Sequence, residues 1–238
     1  MTLDARLAGL LVCPRDGSDL TEETDDLVCA EGHRYPCPGG IPVLLRDDVW
    51  QTHAIMERSM REAREPVPSE EEYSGEGIDA LYVVADARHL PFKPGSFKVA
   101  FSYSVFQHLR EQDVQESIDE IARVLEPGGR SRVQMPNVFG ARNLYLQVRE
   151  RRLREPVRQF DVRYWFPREL RRSFGRIGPT ALEVDGFFSL NAQSSDLALM
   201  PWRFRAAIRL SDLLRSLARR FPPLTLVADS LYVRSTRA

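Results

Sequence analysis

The stretch from Asp47 to Asp79 limits what this chain can fold into more than any other. It contains MERSMREAREPVPSEEEYSGEGID, charged throughout, with two prolines, two glycines and almost no apolar periodicity. Such a segment reads as linker or loop, with room for one short helix before Pro66. Any packed core must come from the flanking parts. A chain of 238 residues then becomes one small unit plus one medium unit. We expect a module over 1–46, a linker over 47–80 and a larger domain over 81–238.

Residues 7–45 hold three short apolar runs, LAGLLVCP, LVCAEGHRYP and GIPVLL, the last behind a Gly39-Gly40 turn. Short strands between turns predict a small β-rich module. About 40 residues cannot rely on their own core, so a metal or a neighbour must support them. All three cysteines, Cys13, Cys29 and Cys37, fall here. In a reducing compartment this fits a metal site better than a disulfide framework.

From Leu81 the pattern turns globular. LYVVA and FKVAFSYSVF read as strands. DVQESIDEIARVL places Val114, Ile118, Ile121 and Leu125 at helical spacing, with Asp113 as N-cap and Pro127-Gly128-Gly129 as the stop. SRVQMP is a further strand, and a helix follows near 139–153. Another helix opens at Pro167 and runs to Phe174. LEVDGFFSL and VADSLYVRS are the last strands, with an arginine-rich helix over 201–220 between them. Strand–helix alternation predicts an α/β sheet with parallel pairing.

Two resemblances follow from quoted motifs. C13-P-R-D16, C29-A-E-G-H33 and Y35-P-C37-P-G-G-I-P-V-L-L resemble the zinc-ribbon module of the tRNA methyltransferase activator 112-like family, over residues 7–45. That family carries two C-x-x-C pairs. Here Asp16 stands at the second cysteine's place and Gly32 at the fourth's, with His33 beside it. Cys13, Asp16, Cys29 and His33 have the right chemistry for a tetrahedral zinc site, with Cys37 as a substitute ligand. The alternative is a metal-free module in which the cysteines pack as small hydrophobes.

V83-V-A-D-A-R-H-L-P-F92, G95-S-F-K-V-A-F-S-Y-S-V-F-Q-H-L109, I121-A-R-V-L-E-P-G-G129 and V133-Q-M-P-N137 together resemble a class I S-adenosylmethionine (SAM)-dependent methyltransferase of the type 11 group. The resemblance implies a Rossmann-like α/β sheet with SAM as cofactor. Asp86 would accept the adenine amino group, with the Ala87 backbone beside it, at a strand's carboxyl end where such sheets bind ligands. A loop-capping turn is the plainer reading of Asp86. His108 lies where a methyl acceptor would sit, and is the candidate general base against a role in ordering its loop. Asn137, Tyr164 and Trp165 are acceptor-pocket candidates by position. Lys98 departs from the family's Ser-Phe-Asp-Val.

The family's glycine-rich SAM loop has no counterpart. Only 35 residues, 46–80, precede LYVVA, whereas two strand–helix units need about 60 or more. Gly75-Glu-Gly77 is the nearest match, with no strand before it. The chain reads as a truncated Rossmann-like methyltransferase sheet. Losing the central strand exposes an edge. LYVVA is therefore expected to pair with FKVAFS, or the edge to be covered by the linker, a protein partner or a second copy.

Charge divides the chain. Residues 1–140 carry 14 Lys+Arg against 25 Asp+Glu, and residues 141–238 carry 19 Arg against 9 Asp+Glu. This is a basic surface for an anionic partner, or two halves that attract. No nucleic-acid motif accompanies it. Phe204, Ile208, Leu213, Leu217 and Phe221 form a stripe that packs on its own domain or lies on an anionic membrane. No run is long and apolar enough for a membrane span, and the start lacks signal-peptide features, which predicts a cytoplasmic chain. The function expected is methyl transfer from SAM to an unassigned small-molecule or macromolecular acceptor. The alternative is a non-catalytic remnant or protein-interaction module.

Overall fold

The computed structural model describes residues 3–48, 80–149, 162–188 and 200–238, which form two compact units, one ending at Ser96 and one starting at Phe97. The stretch 49–79, with the helix expected before Pro66 and the Gly75–Gly77 pair, lies outside the described residues. So does the end of the helix expected to reach 153.

The first unit opens with a single helical turn, α1 (Ala5–Ala8). Strands β1 (Leu20–Glu23), β2 (Asp26–Cys29) and β3 (Arg34–Pro36) make an antiparallel sheet in the order β1-β2-β3. Strand β4 (Val43–Leu44), from GIPVLL, pairs in parallel with β5 (Val84–Ala85), from LYVVA. Leu11 bridges to Phe92, and the Val12 and Lys93 amides donate to the Pro91 and Leu10 carbonyls at 3.0 and 2.9 Å. The core is Leu7, Leu11, Cys13, Leu27, Cys29, Tyr35, Cys37 and Leu44. Leu11, Leu27 and Leu44 are fully enclosed, so the small module fills its interior with residues drawn from both sides of the 49–79 stretch.

LYVVA therefore does not pair with FKVAFS as expected. The Val84 amide donates to the Pro42 carbonyl at 2.9 Å, and the apolar Val43–Leu44 edge takes the strand.

In the second unit, β6 (Phe97–Ser102), β7 (Leu125–Pro136), β8 (Thr180–Gly186) and β9 (Ser230–Thr236) form one sheet in the order β6-β7-β9-β8. Pairing is mixed rather than wholly parallel: β6 runs parallel to β7, while β9 runs antiparallel to both β7 and β8. Helices are α2 (Glu111–Val124), α3 (Ala141–Arg149), α4 (Pro167–Phe174) and α5 (Trp202–Ala218). On α2 the buried residues Val114, Ser117, Ile118, Ile121 and Val124 mark one stripe. Strand alternation matches it: Ser131, Val133 and Met135 on β7 and Leu231, Val233 and Ser235 on β9 are buried. The N-cap of α2 is Arg110, not Asp113. Asp113 sits in the first turn, where its buried carboxylate accepts from the Arg110 guanidinium at 2.9 Å. On α5, Ile208, Ser211 and Ala218 are buried, whereas Phe204, Leu213 and Leu217, and Phe221 beyond the helix end, are exposed, so only part of the expected stripe packs. Among the described residues no helix is long and apolar enough to cross a membrane.

A remote residue caps α3. Asp229, buried on the loop before β9, accepts at Oδ1 from the Arg142 and Asn143 amides at 2.8 and 3.0 Å, and at Oδ2 from the Phe188 amide at 2.5 Å. Gly140 permits this approach, since a Cβ there would lie 2.4 Å from the Asp229 Cα. Asp229→Ala leaves three backbone donors without a charged acceptor. It should destabilise the second unit by about 3 kcal/mol, read from the midpoint of its denaturant unfolding.

Candidate metal centre and cofactor-binding residues

Two turns of similar design build the cluster. In the first, the Gly17 amide donates back to the Cys13 carbonyl at 2.8 Å, and in the second the Gly32 amide donates back to the Cys29 carbonyl at 2.9 Å. Both glycines have positive φ, 75° and 81°, a conformation L side chains rarely adopt. Each turn thus presents a cysteine at its start and a second donor at its tip: Asp16 in one, His33 just past the other.

The four side chains converge. Their ligand atoms all lie within 4.8 Å of one another. His33 Nδ1 is 3.5 Å from Cys13 Sγ, 3.3 Å from Cys29 Sγ and 3.1 Å from Asp16 Oδ2, and Cys29 Sγ is 3.5 Å from Asp16 Oδ2. Tetrahedral zinc with bonds of about 2.3 Å to sulfur and about 2.0 Å to nitrogen or oxygen has edges of about 3.5 Å (S–N, S–O) and about 3.3 Å (N–O). The measured separations match those edges, so the donor set fits zinc in both chemistry and spacing.

Neighbouring groups orient the set. Ser18 donates its amide and hydroxyl to Asp16 Oδ1 at 2.8 and 2.5 Å, which leaves Oδ2 to face the cluster. These bonds hold the Asp16 carboxyl far below the usual range. The Tyr35 hydroxyl lies 3.1 Å from Cys13 Sγ and is placed to donate to a thiolate there. Burial pushes both the Cys13 thiol and the Tyr35 phenol up. Cys37 is buried outside the cluster, and burial raises its thiol as well. Tyr35 and Ser18 were not singled out as support in the sequence. The Asp16-Gly17-Ser18 spacing, which sets a short polar side chain two residues after a carboxylate, is the signal that could have found Ser18.

Asp86 follows β5 in a tight turn, where the His89 amide donates to its carbonyl at 2.9 Å. Its carboxylate faces Arg88. Oδ1 accepts from the Arg88 amide at 2.9 Å and from Nε at 3.0 Å, and Oδ2 accepts from Nε at 3.1 Å and Nη2 at 2.6 Å. The two side chains are 9% and 7% exposed. Burial alone would raise the Asp86 carboxyl, but the Arg88 hydrogen bonds and charge outweigh it and hold it low. The loop-capping arrangement is thus present, closed by a residue that the sequence did not single out. Ala87 is half-buried in the same turn.

His108 ends a short 3-10 turn, Phe106–His108, after β6. Its Nε2 lies 3.0 Å from Gln107 Nε2. Asn137 is fully buried, and its Nδ2 donates to the Leu226 and Ala228 carbonyls at 2.7 and 2.8 Å. Those bonds tie down the chain before β9. Trp165 is buried too, its amide donating to the Pro136 carbonyl at 3.0 Å.

Residues 53–133 match the model of a methyltransferase domain family. The match starts inside the stretch read as linker and takes in LYVVA, FKVAFS and the Pro127-Gly128-Gly129 segment. Solved structures similar to the chain include one from a Haloferax volcanii complex containing the Trm112 methyltransferase activator, at 19% identity, 68% of this chain, 63% of that one and a TM-score of 0.41. A Thermotoga maritima SAM-dependent methyltransferase is 16% identical over 66% of this chain and 65% of its own, at a TM-score of 0.42. A Pyrococcus horikoshii protein is 14% identical over 84% and 73%, at 0.40. The chain spans less than two thirds of the first two. The fold is α/β with a small β-rich N-terminal module, as the sequence predicts, and its larger Rossmann-like sheet is mixed where parallel pairing was expected.

Proposed function

We propose that the chain is a SAM-dependent methyltransferase that transfers a methyl group to an acceptor of unassigned chemistry, with zinc bound by Cys13, Asp16, Cys29 and His33 in its first unit. The observation that carries the reading is the ordered motif run from Val83 to Val133, all of it inside the segment that matches the methyltransferase family. Asp86 and Ala87 would face the adenine end of SAM, and His108 would serve as general base. The metal's part is structural: it joins the two cysteine turns and supplies no step of the transfer. Three unpaired cysteines suit a reducing compartment such as the cytoplasm. The β6 edge is where a protein partner or a second copy would add a strand.

One observation favours the second reading, a non-catalytic interaction module. The Asp86 carboxylate is engaged by three N–H groups of Arg88, its amide, Nε and Nη2, in four contacts. An adenine amino group would have to displace part of that buried pair. Isothermal titration with SAM separates the readings. Micromolar binding that Asp86→Asn weakens supports the enzyme. No heat at millimolar SAM, with native circular dichroism, supports the interaction module.

A further inference from the structure

The second unit holds a cleft of about 530 Å³ between the sheet and the end of α5, lined by Arg132, Glu183, Arg215, Arg219, Thr225 and Tyr232 among others. That volume is within the ordinary range for small-molecule sites, about 300–1,000 Å³. Its charge is one-sided. Glu183 is paired with Arg234, and Asp212 with Arg215 at 2.9 Å. Arg132 and Arg219 have no carboxylate partner among the described residues. With those pairs closed, two uncompensated guanidinium groups face the cleft.

One of the two is mounted. The Arg132 guanidinium lies over the Tyr232 ring, 3.9 Å from its centroid. Burial pushes the Tyr232 phenol up, and the charge of the buried Asp185 adds to it; Asp185 accepts from the Ser230 hydroxyl at 2.8 Å. Gln134 continues this chain, donating to the Ser230 hydroxyl at 2.6 Å. Stacking on the Tyr232 ring holds one face of the guanidinium and leaves its N–H edge for two parallel bonds to an oxyanion. Beside it on the same sheet face, Phe101 and Tyr103 are 61% and 42% exposed, with centroids 6.3 and 6.4 Å from Tyr232. These are exposed aromatic surfaces with no role in the core.

We infer that this cleft binds a mononucleotide-sized ligand, its phosphate on Arg132 and Arg219 and its aromatic ring on Phe101 or Tyr103. The chemistry differs from that of SAM, which carries a sulfonium cation and no phosphate, so the site is independent of the methyl-transfer reading. Guanidinium forks match phosphate oxygens, and exposed aromatic faces accept any planar base.

The test uses the full chain with ADP, inorganic phosphate and adenosine as probes, by titration calorimetry at low salt. ADP should bind at least tenfold more tightly than adenosine, with phosphate alone between none and weak. Arg132→Gln and Arg219→Gln should each weaken ADP at least tenfold, while Arg203→Gln, on the exposed start of α5, should leave it unchanged. Phe101→Ala should weaken ADP and leave phosphate unaffected. The inference is overturned if ADP does not bind at millimolar concentration, if adenosine binds as well as ADP, or if both arginine variants bind as the parent does. All four variants alter exposed side chains, and native circular dichroism separates loss of the site from loss of the fold.

Discussion

Isolated from zinc-supplemented cells, the protein should carry one equivalent of zinc, and Cys29→Ala should reduce it to background. Protein with a native first unit and no bound metal would defeat the assignment. The expectation rests on edge lengths: four of the six donor separations, 3.1 to 3.5 Å, match tetrahedral edges, and all six lie within 4.8 Å. The effect on stability should be the largest of any single change in this chain, because structural zinc contributes on the order of 10–16 kcal/mol in comparably small zinc-finger peptides. Strands β1 to β3 are three or four residues long, and their core holds few large side chains. Chelation should therefore open the first unit to proteolysis and leave the second unit intact. Cys37→Ala is the internal control: it removes a buried thiol outside the cluster, so it should cost some packing and keep the metal.

The second large effect should come from Arg88→Ala. Removing one member of a buried pair leaves an uncompensated charge, which typically costs about 3–5 kcal/mol. Here the survivor is the Asp86 carboxylate, 9% exposed and left with only the residue-88 backbone amide once its three guanidinium contacts are gone. Urea unfolding of the first unit should show that loss. The double variant Asp86→Asn, Arg88→Met should recover much of it, since no ion is then left in an apolar site. Acid should act through the same pair. The Asp86 carboxyl is held below its unfolded value, so its contribution is complete above about pH 4 and is lost as the pH falls through the lowered folded value. Unfolding of Arg88→Ala should lack that acid-dependent component. A parent and variant with equal stability at pH 7 would show that the pair contributes nothing.

Much of the fold was legible because periodicity reports burial. The α2 stripe, the Pro167 helix start and the arginine-rich α5 all appear within a few residues of where the pattern places them. The pairing partner of LYVVA was not legible. An apolar run of five predicts burial but not against which edge; in the structure Leu81 and Tyr82 are exposed, and only Val84–Ala85 pair, with the two-residue Val43–Leu44 strand. The antiparallel β9 was hidden for a similar reason, since alternation along a strand is the same in either direction. At the candidate site, residue types and spacing brought Cys13, Asp16, Cys29 and His33 together on paper, and the two positive-φ glycines are what realise it in space. The Arg88 clamp was missed because arginine at a turn reads as solvated. Only the distance from guanidinium to carboxylate shows that it is not.

The bridge from Leu11 to Phe92, with its flanking bonds from Val12 and Lys93, has a kinetic consequence. The first unit begins near the N-terminus yet is closed by residues 84–93, so it cannot be completed during synthesis until Lys93 has left the ribosome. At roughly 5–20 residues per second, Leu11 and the β4 edge stay uncovered for several seconds after they are made. A metal bound early by the two cysteine turns, whose four ligands all precede Arg34, would shorten that exposed interval by ordering β1 to β3 before their last cover arrives.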